Sequence, residues 1–435
     1  MKATVGVCLG EPPVLIGKLQ FLADGNKESC SFAYDSEWLS SGKAFALDPY
    51  LPLQEGHQYA PKGGGSIFFG CFADSEPDGW GRMVIQRDRQ KRGLAQASSS
   101  LDFLLAVHDE SRTGALRFRD DNGSFLTMPE PGKRAAPPLV ELRDLLRASS
   151  AIEKNTESAA DLRLLLDRGS PPGGMRPKCT VVDDEGNLSI AKFPSATDER
   201  DIVRGEILAL KLAEMSGIDA ARGRIIMAAR KSVAVIQRFD RIGRQRLMYA
   251  SAGSFLGVTD EKNHAYTEFA DSLRKAGNNP PDDIEEIWRR IVFNVLITNV
   301  DDHLDNHGFL HVGNGQWSLA PAFDLNPAPE RHREFKTWIS ADIGPRATID
   351  NAMLVLKSFG IANNRGLEIL REVENAIGGW RKLALSPAVG MKAGDANLFA
   401  DAFEHAEREA ARKALATKIA VPGSLASSRS GIRKR

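Results

Sequence analysis

The chain has 435 residues, which is enough for two or three domains that each bury a hydrophobic core. Lysine plus arginine and aspartate plus glutamate number 57 each, so the formal net charge is zero. This balance argues against nucleic acid or an anionic membrane as the main partner.

The four cysteines are widely spaced and form no Cys-x-x-Cys pair, which disfavours a disulfide framework or a zinc knuckle. Neither a signal peptide nor an apolar run long enough to span a bilayer is recognisable. We therefore expect a cytoplasmic protein without a membrane partner.

Residues 1–135 are predicted to form a separate module rich in short strands. Alternating runs bounded by glycine and proline predict strands at residues 5–9, 15–21 and 31–34. Prolines and charged residues then accumulate without periodicity between Thr127 and Pro138. This change of composition indicates the first domain boundary.

The second predicted region, residues 136–240, contains a loop rich in glycine and proline that ends at Lys178. Adjacent glycines, Gly173 and Gly174, allow backbone N–H groups to converge on an anion, and Arg176 adds positive charge. The loop is therefore a candidate phosphate-binding loop. An ordinary hairpin loop is the alternative.

Lys192 lies inside a predicted strand of small and apolar residues. A lysine in such a strand is costly unless it meets fixed negative charge, which nucleotide phosphates provide. A lysine that reaches solvent from an edge strand is the alternative. The helix predicted after this strand carries Glu206, and a kinase-type nucleotide site pairs such a glutamate with the lysine. Position alone leaves Glu199 and Glu214 as other possible partners.

A second predicted hairpin ends in Gln237, Arg238 and Phe239. We expect the chain to cross between two lobes at this point. Backbone groups at the end of a strand can hydrogen-bond the edge of an adenine ring, so these three residues are candidates for framing it.

Residues 241–420 are predicted to be mainly helical. A helix capped by Asp282 or Asp283 leads to Asp301 and Asn306, which have the spacing Asp-x-x-x-x-Asn. In phosphoryl-transfer loops this spacing places a carboxylate to accept a substrate hydroxyl proton and an amide oxygen to hold Mg²⁺. Asp324, after the next predicted hairpin, would be a second Mg²⁺ ligand. Residues 421–435 are predicted to be a disordered basic tail.

The order of these motifs resembles the HipA family of bacterial serine/threonine kinases, the toxin halves of toxin–antitoxin pairs. The motifs that carry the resemblance are Ser170–Lys178, Ile190–Pro194, Arg238–Arg241, Asp301–Asn306 and Phe323 with Asp324. Residues 48–52 and 77–82 are also similar to the N-terminal region of that family. The resemblance therefore covers nearly the whole chain.

The resemblance implies an α+β fold with two kinase-like lobes, a β-rich N-terminal subdomain and a mainly helical C-terminal lobe. It implies ATP and Mg²⁺ as cofactors, Asp301 as the catalytic base, and Asn306 and Asp324 as Mg²⁺ ligands. With the patterns above, the predicted nucleotide-binding residues are Pro172, Gly173, Gly174, Met175, Arg176, Lys178, Lys192, Glu206, Gln237, Arg238, Phe239, His303, Asn306, Phe323 and Asp324.

The resemblance further implies autophosphorylation at Ser170 and a partner of the HipB type, a helix-turn-helix antitoxin that brings the pair to DNA. The family's known targets include aminoacyl-tRNA synthetases, and the sequence does not identify the target of this chain.

Two other functions remain open from the sequence. His303 and His307 are four residues apart, so on a helix they could chelate zinc in a metal-dependent hydrolase. A hydrolase would leave the glycine-rich loop and Lys192 without a role. The other alternative is a catalytically weak binding module that acts as a corepressor with a DNA-binding partner, although no candidate catalytic residue is missing.

Overall fold

The computed structural model describes residues 1–25, 27–61, 66–77, 79–97, 99–128, 136–166, 175–258, 263–329 and 333–417. Ser170, Pro172, Gly173 and Gly174 lie outside these ranges, as does the predicted basic tail. The proposals for those residues stay predictions.

An antiparallel five-stranded sheet organises the N-terminal part of the chain, in the order β4-β3-β2-β1-β5. Its strands are β1 (Lys2–Leu9), β2 (Val14–Asp24), β3 (Lys27–Tyr34), β4 (Gln58–Tyr59) and β5 (Leu116–Arg119). The helices of this part are α1 (Ser36–Ser40), α2 (Gly70–Ala73), α3 (Gly79–Lys91) and α4 (Ser100–Ala106). Along β2, Leu19 and Phe21 are buried while Lys18 and Leu22 are exposed, so one face of the sheet meets the core. The three strands predicted here are confirmed.

A four-stranded antiparallel sheet follows, in the order β6-β7-β9-β8. The elements of this N-terminal lobe are α5 (Leu142–Glu153), α6 (Ala159–Leu166), β6 (Lys178–Val182), β7 (Leu188–Lys192), α7 (Ile202–Met215), β8 (Gly223–Ala228) and β9 (Lys231–Gln237). Alternation along β9 separates two cores. Val233 and Val235 pack with α5 and α6, whereas Ala234 and Ile236 face the main core, to which α7 contributes.

The C-terminal lobe is mainly helical, as predicted. Its strands are β10 (Arg241–Ile242), β11 (Gln245–Arg246), β12 (Tyr249–Ser251), β13 (Gly308–Gly313) and β14 (Gln316–Leu319). Its helices are α8 (Ala252–Leu256), α9 (Tyr266–Ala276), α10 (Pro280–Ile297), α11 (Ile349–Leu354), α12 (Asn363–Gly378), α13 (Trp380–Leu385), α14 (Ala393–Asn397), α15 (Ala400–Phe403) and α16 (Ala406–Thr417). Short 3-10 turns occur at Leu139–Glu141, Leu304–Asn306 and Leu356–Phe359.

Helix α10 leads directly to the predicted catalytic loop. It begins at Pro280, with Asn279 as the flanking residue, so the prediction of Asp282 or Asp283 as its cap is wrong. Proline suits the first helical positions because its missing N–H would have no intrahelical partner there. The two aspartates lie in the first turn instead, where they favour the positive end of the helix dipole. The helix ends at Ile297, and the left-handed backbone of the next residue, Thr298 (φ 55°), turns the chain into the loop.

The main hydrophobic core runs through both the N-terminal sheet and the C-terminal lobe. It includes Phe21 and Phe32 from the sheet, Ile207 from α7 and Trp288 from α10. The N-terminal part is therefore packed against the lobes rather than tethered to them. No helix in the described ranges has the length and apolar character needed to cross a membrane.

Candidate active site

A large cleft, of about 1660 Å³, lies where the N-terminal part and the two lobes meet. The predicted nucleotide-binding residues that line it are Met175, Lys178, Lys192, Glu206, Gln237, Arg238, Phe239, His303, Asn306, Phe323 and Asp324. The structure thus brings these predicted residues together around one cleft. The volume exceeds that of a typical ligand pocket, so a nucleotide would leave room for a second molecule.

Lys192, at the end of β7, stands between two carboxylates. Its ammonium lies 2.6 Å from Glu206 Oε1 and 2.6 Å from Asp324 Oδ1. Glu206 is therefore the helical partner, which excludes Glu199 and Glu214 as the partner in this structure. Burial alone would lower the pKa of Lys192, but the charges of Asp324 and Glu206 raise it above its ordinary value. The lysine is held as a cation.

Asp324 is placed by a loop that is hydrogen-bonded to the segment between α7 and β8. Ala322 donates its N–H to Asp219 and accepts the N–H of Ala221. The Asp324 backbone is left-handed (φ 54°), a conformation that non-glycine residues adopt mainly at functional sites and turns. Burial would raise the pKa of its carboxyl, but the cations Lys192 and Lys178 lower it below its usual range. Asp324 is therefore an anion in the cleft.

The loop after α10 separates two adjacent aspartates. Asp302 is buried and accepts a hydrogen bond from Asn294 (2.8 Å), and His307 Nε2 lies 3.0 Å from it. Asp301 is instead 65% exposed and is paired with Lys336. Asn306, in the 3-10 turn, donates its Nδ2 to the Asp301 carbonyl (3.0 Å). Asp302 therefore holds the loop, whereas Asp301 is exposed.

Asn306 and Asp324 form a donor set that suits Mg²⁺. Because the amide nitrogen of Asn306 is engaged with the loop backbone, its oxygen is the atom left for a ligand. A carboxylate and an amide oxygen are hard ligands of the kind that Mg²⁺ uses at nucleotide sites. The residues present therefore fit the metal that the sequence predicted.

The two histidines of the loop are not arranged for a helical zinc site. His303 and His307 both have extended backbones on either side of the 3-10 turn, so the spacing of an α-helix does not apply. His307 is buried against Tyr266 and Phe269, beside Asp302. His303 lines the cleft. One imidazole is therefore structural, and the basis for the hydrolase alternative is removed.

The guanidinium groups of the two predicted nucleotide-binding arginines are both bound to other groups of the protein. The Arg176 guanidinium pairs with Asp198 at 2.5 Å and does not line the cleft. Arg238 is buried; it donates to the carbonyls of Ser111 and Arg112 and to Asp240. These bonds occupy its guanidinium, and the predicted contact with an adenine, which the sequence analysis assigned to backbone groups, stays a prediction. The sequence could not show the bonds to these carbonyls, because the carbonyls come from a segment more than a hundred residues earlier.

The cleft also contains residues that the sequence analysis missed. Ile190, Ala221 and Ile236 supply an apolar surface near Lys192, and the opposite wall comes from the N-terminal part, including Asp48, Phe68, Asp74 and Glu76. Lys336 and Thr337 come from the segment after Asp324. The apolar residues were predictable from strand alternation. Asp48 lies in residues 48–52, which carry part of the family resemblance, but nothing in that stretch indicated a place in the cleft.

The Asp74 carboxyl is expected to make the folding stability of the protein depend on pH. Burial raises the pKa of its carboxyl to about 7, although the Ser251 N–H donates to it at 2.8 Å. An unfolded aspartate titrates near pH 3.9. The stability that protonated Asp74 contributes to the fold is therefore fully present below about pH 4 and is lost as the pH rises to about 7. We expect Asp74→Asn to gain unfolding free energy relative to wild type over this range. Urea unfolding at several pH values, with the exposed Asp350→Asn as the control, measures it; parallel curves would contradict the assignment.

Two family models match the chain. Residues 7–119 match the model described as HipA N-terminal domain, and residues 170–380 match the HipA-like C-terminal domain. Together they cover most of the chain, including every described residue of the candidate site.

Two curated relatives and one solved structure are also similar. A putative kinase of Haemophilus influenzae is 26% identical over 34% of this chain, which spans only 48% of that protein. Putative kinase Y4mE of Sinorhizobium fredii is 26% identical over 76% of this chain and 79% of its own length. The solved structure is HipA of Shewanella oneidensis, in a toxin–antitoxin complex with HipB and operator DNA. It covers 95% of this chain and 96% of its own at 17% identity and a TM-score of 0.63, which shows a common α+β fold.

Proposed function

The chain belongs to the HipA family, and from this premise we propose that it is an ATP- and Mg²⁺-dependent serine/threonine protein kinase. It transfers the γ-phosphoryl group of ATP to a protein hydroxyl and to its own Ser170. The observation that supports this most strongly is the Lys192–Glu206–Asp324 cluster, which lines the same cleft as Lys336, the ion-pair partner of the exposed Asp301. A lysine held by a glutamate, with a metal-binding aspartate beside it, is the arrangement that phosphoryl transfer uses.

Each residue then has a task in the transfer. Lys192, kept charged by its two carboxylates, binds the phosphates, and Phe239 with the backbone of Gln237 contacts the adenine. Asn306 and Asp324 would hold Mg²⁺, which when bound neutralises phosphate charge. Asp301 accepts the proton of the acceptor hydroxyl as its oxygen bonds to phosphorus. The bond to the bridging oxygen breaks, and ADP leaves.

The proposed partner is a helix-turn-helix antitoxin of the HipB type. The Shewanella oneidensis structure holds HipB and operator DNA, and its fold matches this chain over nearly its full length. The chain itself is formally neutral, so we propose that contact with DNA is made mainly through the antitoxin. The protein substrate is proposed to be an aminoacyl-tRNA synthetase or another translation factor, and the kinase to act as a growth-inhibiting toxin.

The kinase proposal is tested by incubating the purified full chain with Mg-ATP and measuring its intact mass. We expect a gain of one phosphate that maps to Ser170, and no gain when EDTA removes the metal or when Ser170 is replaced by alanine. Phosphate on another residue would remove the regulatory site but keep the kinase. If neither the chain nor proteins of its own cell lysate take up phosphate, the corepressor alternative is favoured instead.

A further inference from the structure

Among the described residues, Lys336 is the one basic residue within ion-pair distance of the Asp301 carboxylate. It comes from the segment that follows Asp324, thirty-five positions beyond its partner, and it lines the same cleft as His303 and Asn306. Neither the motifs nor the comparisons give it a role.

The backbone around Lys336 is fixed on both sides. Its own N–H donates to the Val300 carbonyl (3.4 Å), and the next N–H, of Thr337, donates to Asp302 (3.1 Å). The Trp338 N–H then donates to the His264 carbonyl (2.8 Å), and the Trp338 carbonyl accepts the N–H of Tyr266, the first residue of α9 (2.9 Å). The segment is therefore attached to the catalytic loop, and Lys336 keeps its place beside Asp301 without depending on the ion pair.

The ion pair itself contributes little to folding. The two side chains are 59% and 65% exposed, and pairs exposed to that degree are worth about 0–1 kcal/mol. Its consequence is local, because a cation that lines the cleft stands beside the exposed Asp301 carboxylate. Lys192 is shared by two carboxylates, whereas the contact of Lys336 is with Asp301.

The neighbouring Thr337 gives independent support for a ligand here. It is 1% exposed and lines the cleft, yet its hydroxyl has no hydrogen-bond partner within the part of the chain that the structure describes. Buried hydroxyls are normally satisfied, so an unsatisfied one at a cleft indicates a group that binds there. The Lys336–Thr337 step thus places an ammonium beside Asp301 and an unsatisfied hydroxyl in the next residue of the cleft lining.

We infer that Lys336 positions the Asp301 carboxylate and offers its ammonium to the phosphoryl group during transfer. The inference rests on the proposed kinase function. As the acceptor oxygen bonds to phosphorus, its proton goes to Asp301, and the bridging oxygen leaves with ADP. The contact of Lys336 shifts from the carboxylate, which the proton neutralises, to the phosphoryl oxygens. Charge that develops in the transition state is thereby stabilised.

The test compares Lys336→Met with Lys336→Arg in the full chain. We expect Lys336→Met to lower kcat about tenfold or more, with the KM for ATP and the melting temperature unchanged. Lys336→Arg, which keeps the charge, should recover much of the rate. Lys357→Met is the matched control because Lys357 is exposed and does not line the cleft.

The outcomes separate this inference from the kinase proposal. If wild type transfers phosphate and Lys336→Met is equally fast or faster, the inference is overturned and the kinase stands. A loss that comes with a lower melting temperature and no rescue by arginine means a purely structural role, which also overturns it. A readout independent of activity is amine labelling followed by mass spectrometry. A non-hydrolysable ATP analogue with Mg²⁺ should protect Lys336 and not Lys357; equal labelling of Lys336 with and without the analogue contradicts the phosphoryl contact.

Discussion

Asp301→Asn is expected to lower the rate of phosphoryl transfer by about 10²- to 10⁴-fold, the usual contribution of a positioned general base. The amide keeps the shape of the side chain but cannot accept the hydroxyl proton. Stability should be unchanged, because Asp301 is exposed and its ion pair with Lys336 is worth little. Initial rates with Mg-ATP, measured beside the melting temperature and nucleotide affinity, check all three expectations.

The adjacent Asp302 supplies the control for this experiment. It is 1% exposed and accepts a hydrogen bond from Asn294, so Asp302→Asn is expected to cost about 1–3 kcal/mol of unfolding free energy. The two variants should therefore separate activity from stability. An Asp301→Asn protein that keeps its rate would falsify the assignment of Asp301 as the base. A carboxylate that lines the cleft would then be the candidate for that role.

Local patterns predicted the parts of the site that depend on short stretches of chain. The Asp301–Asn306 spacing lies within one loop, and Lys192 stood out because its strand is otherwise small and apolar. The hairpins β6–β7 and β8–β9 were predictable for the same reason, since alternation and turn residues lie next to each other. Such features need no knowledge of how distant elements pack.

Other parts depend on packing between distant segments. Glu206 could not be separated from Glu199 and Glu214, because the rotation of α7 against the sheet decides which carboxylate reaches Lys192. The sequence also gave no sign that the N-terminal part closes one side of the cleft. Lys336 lies in a segment without periodicity, and hydrogen bonds from that segment to distant residues, including residues 300–302, bring it to the site. No single-sequence pattern contains such information.

Arg238 shows that a residue predicted to frame an adenine can also have a structural role, which the sequence did not indicate. The sequence placed it at the nucleotide, because it follows a strand that leads to the adenine. In the structure, the Arg238 side chain belongs to a buried cluster with Asp240 and Arg241. Asp240 also accepts the Gly114 N–H in this cluster (2.7 Å). The motif after β9 therefore joins the crossover between the lobes to the N-terminal part.

Asp240→Ala is expected to destabilise the protein by about 3–5 kcal/mol, because it leaves two buried guanidinium groups without their carboxylate. Arg238 and Arg241 lie 2.6 and 2.9 Å from Asp240, and all three side chains are buried. Burial would raise the pKa of Asp240, but the two arginines lower it below its usual range. The stability it provides is therefore present above about pH 4 and is lost as the pH falls further. Urea unfolding at neutral pH measures the loss.

Asp184→Ala is the matched control for Asp240→Ala. Asp184 also pairs with an arginine, Arg224, at 3.1 Å, but its side chain is 75% exposed, so its loss should change stability by less than about 0.5 kcal/mol. Asp240→Asn, which keeps an acceptor for the Gly114 N–H, should fall between the two. A loss below about 1 kcal/mol for Asp240→Ala would mean that water or a relaxed Arg238 compensates the charges. The cluster would then not be what fixes the N-terminal part to the crossover, and the cleft wall it contributes would depend on the shared hydrophobic core alone.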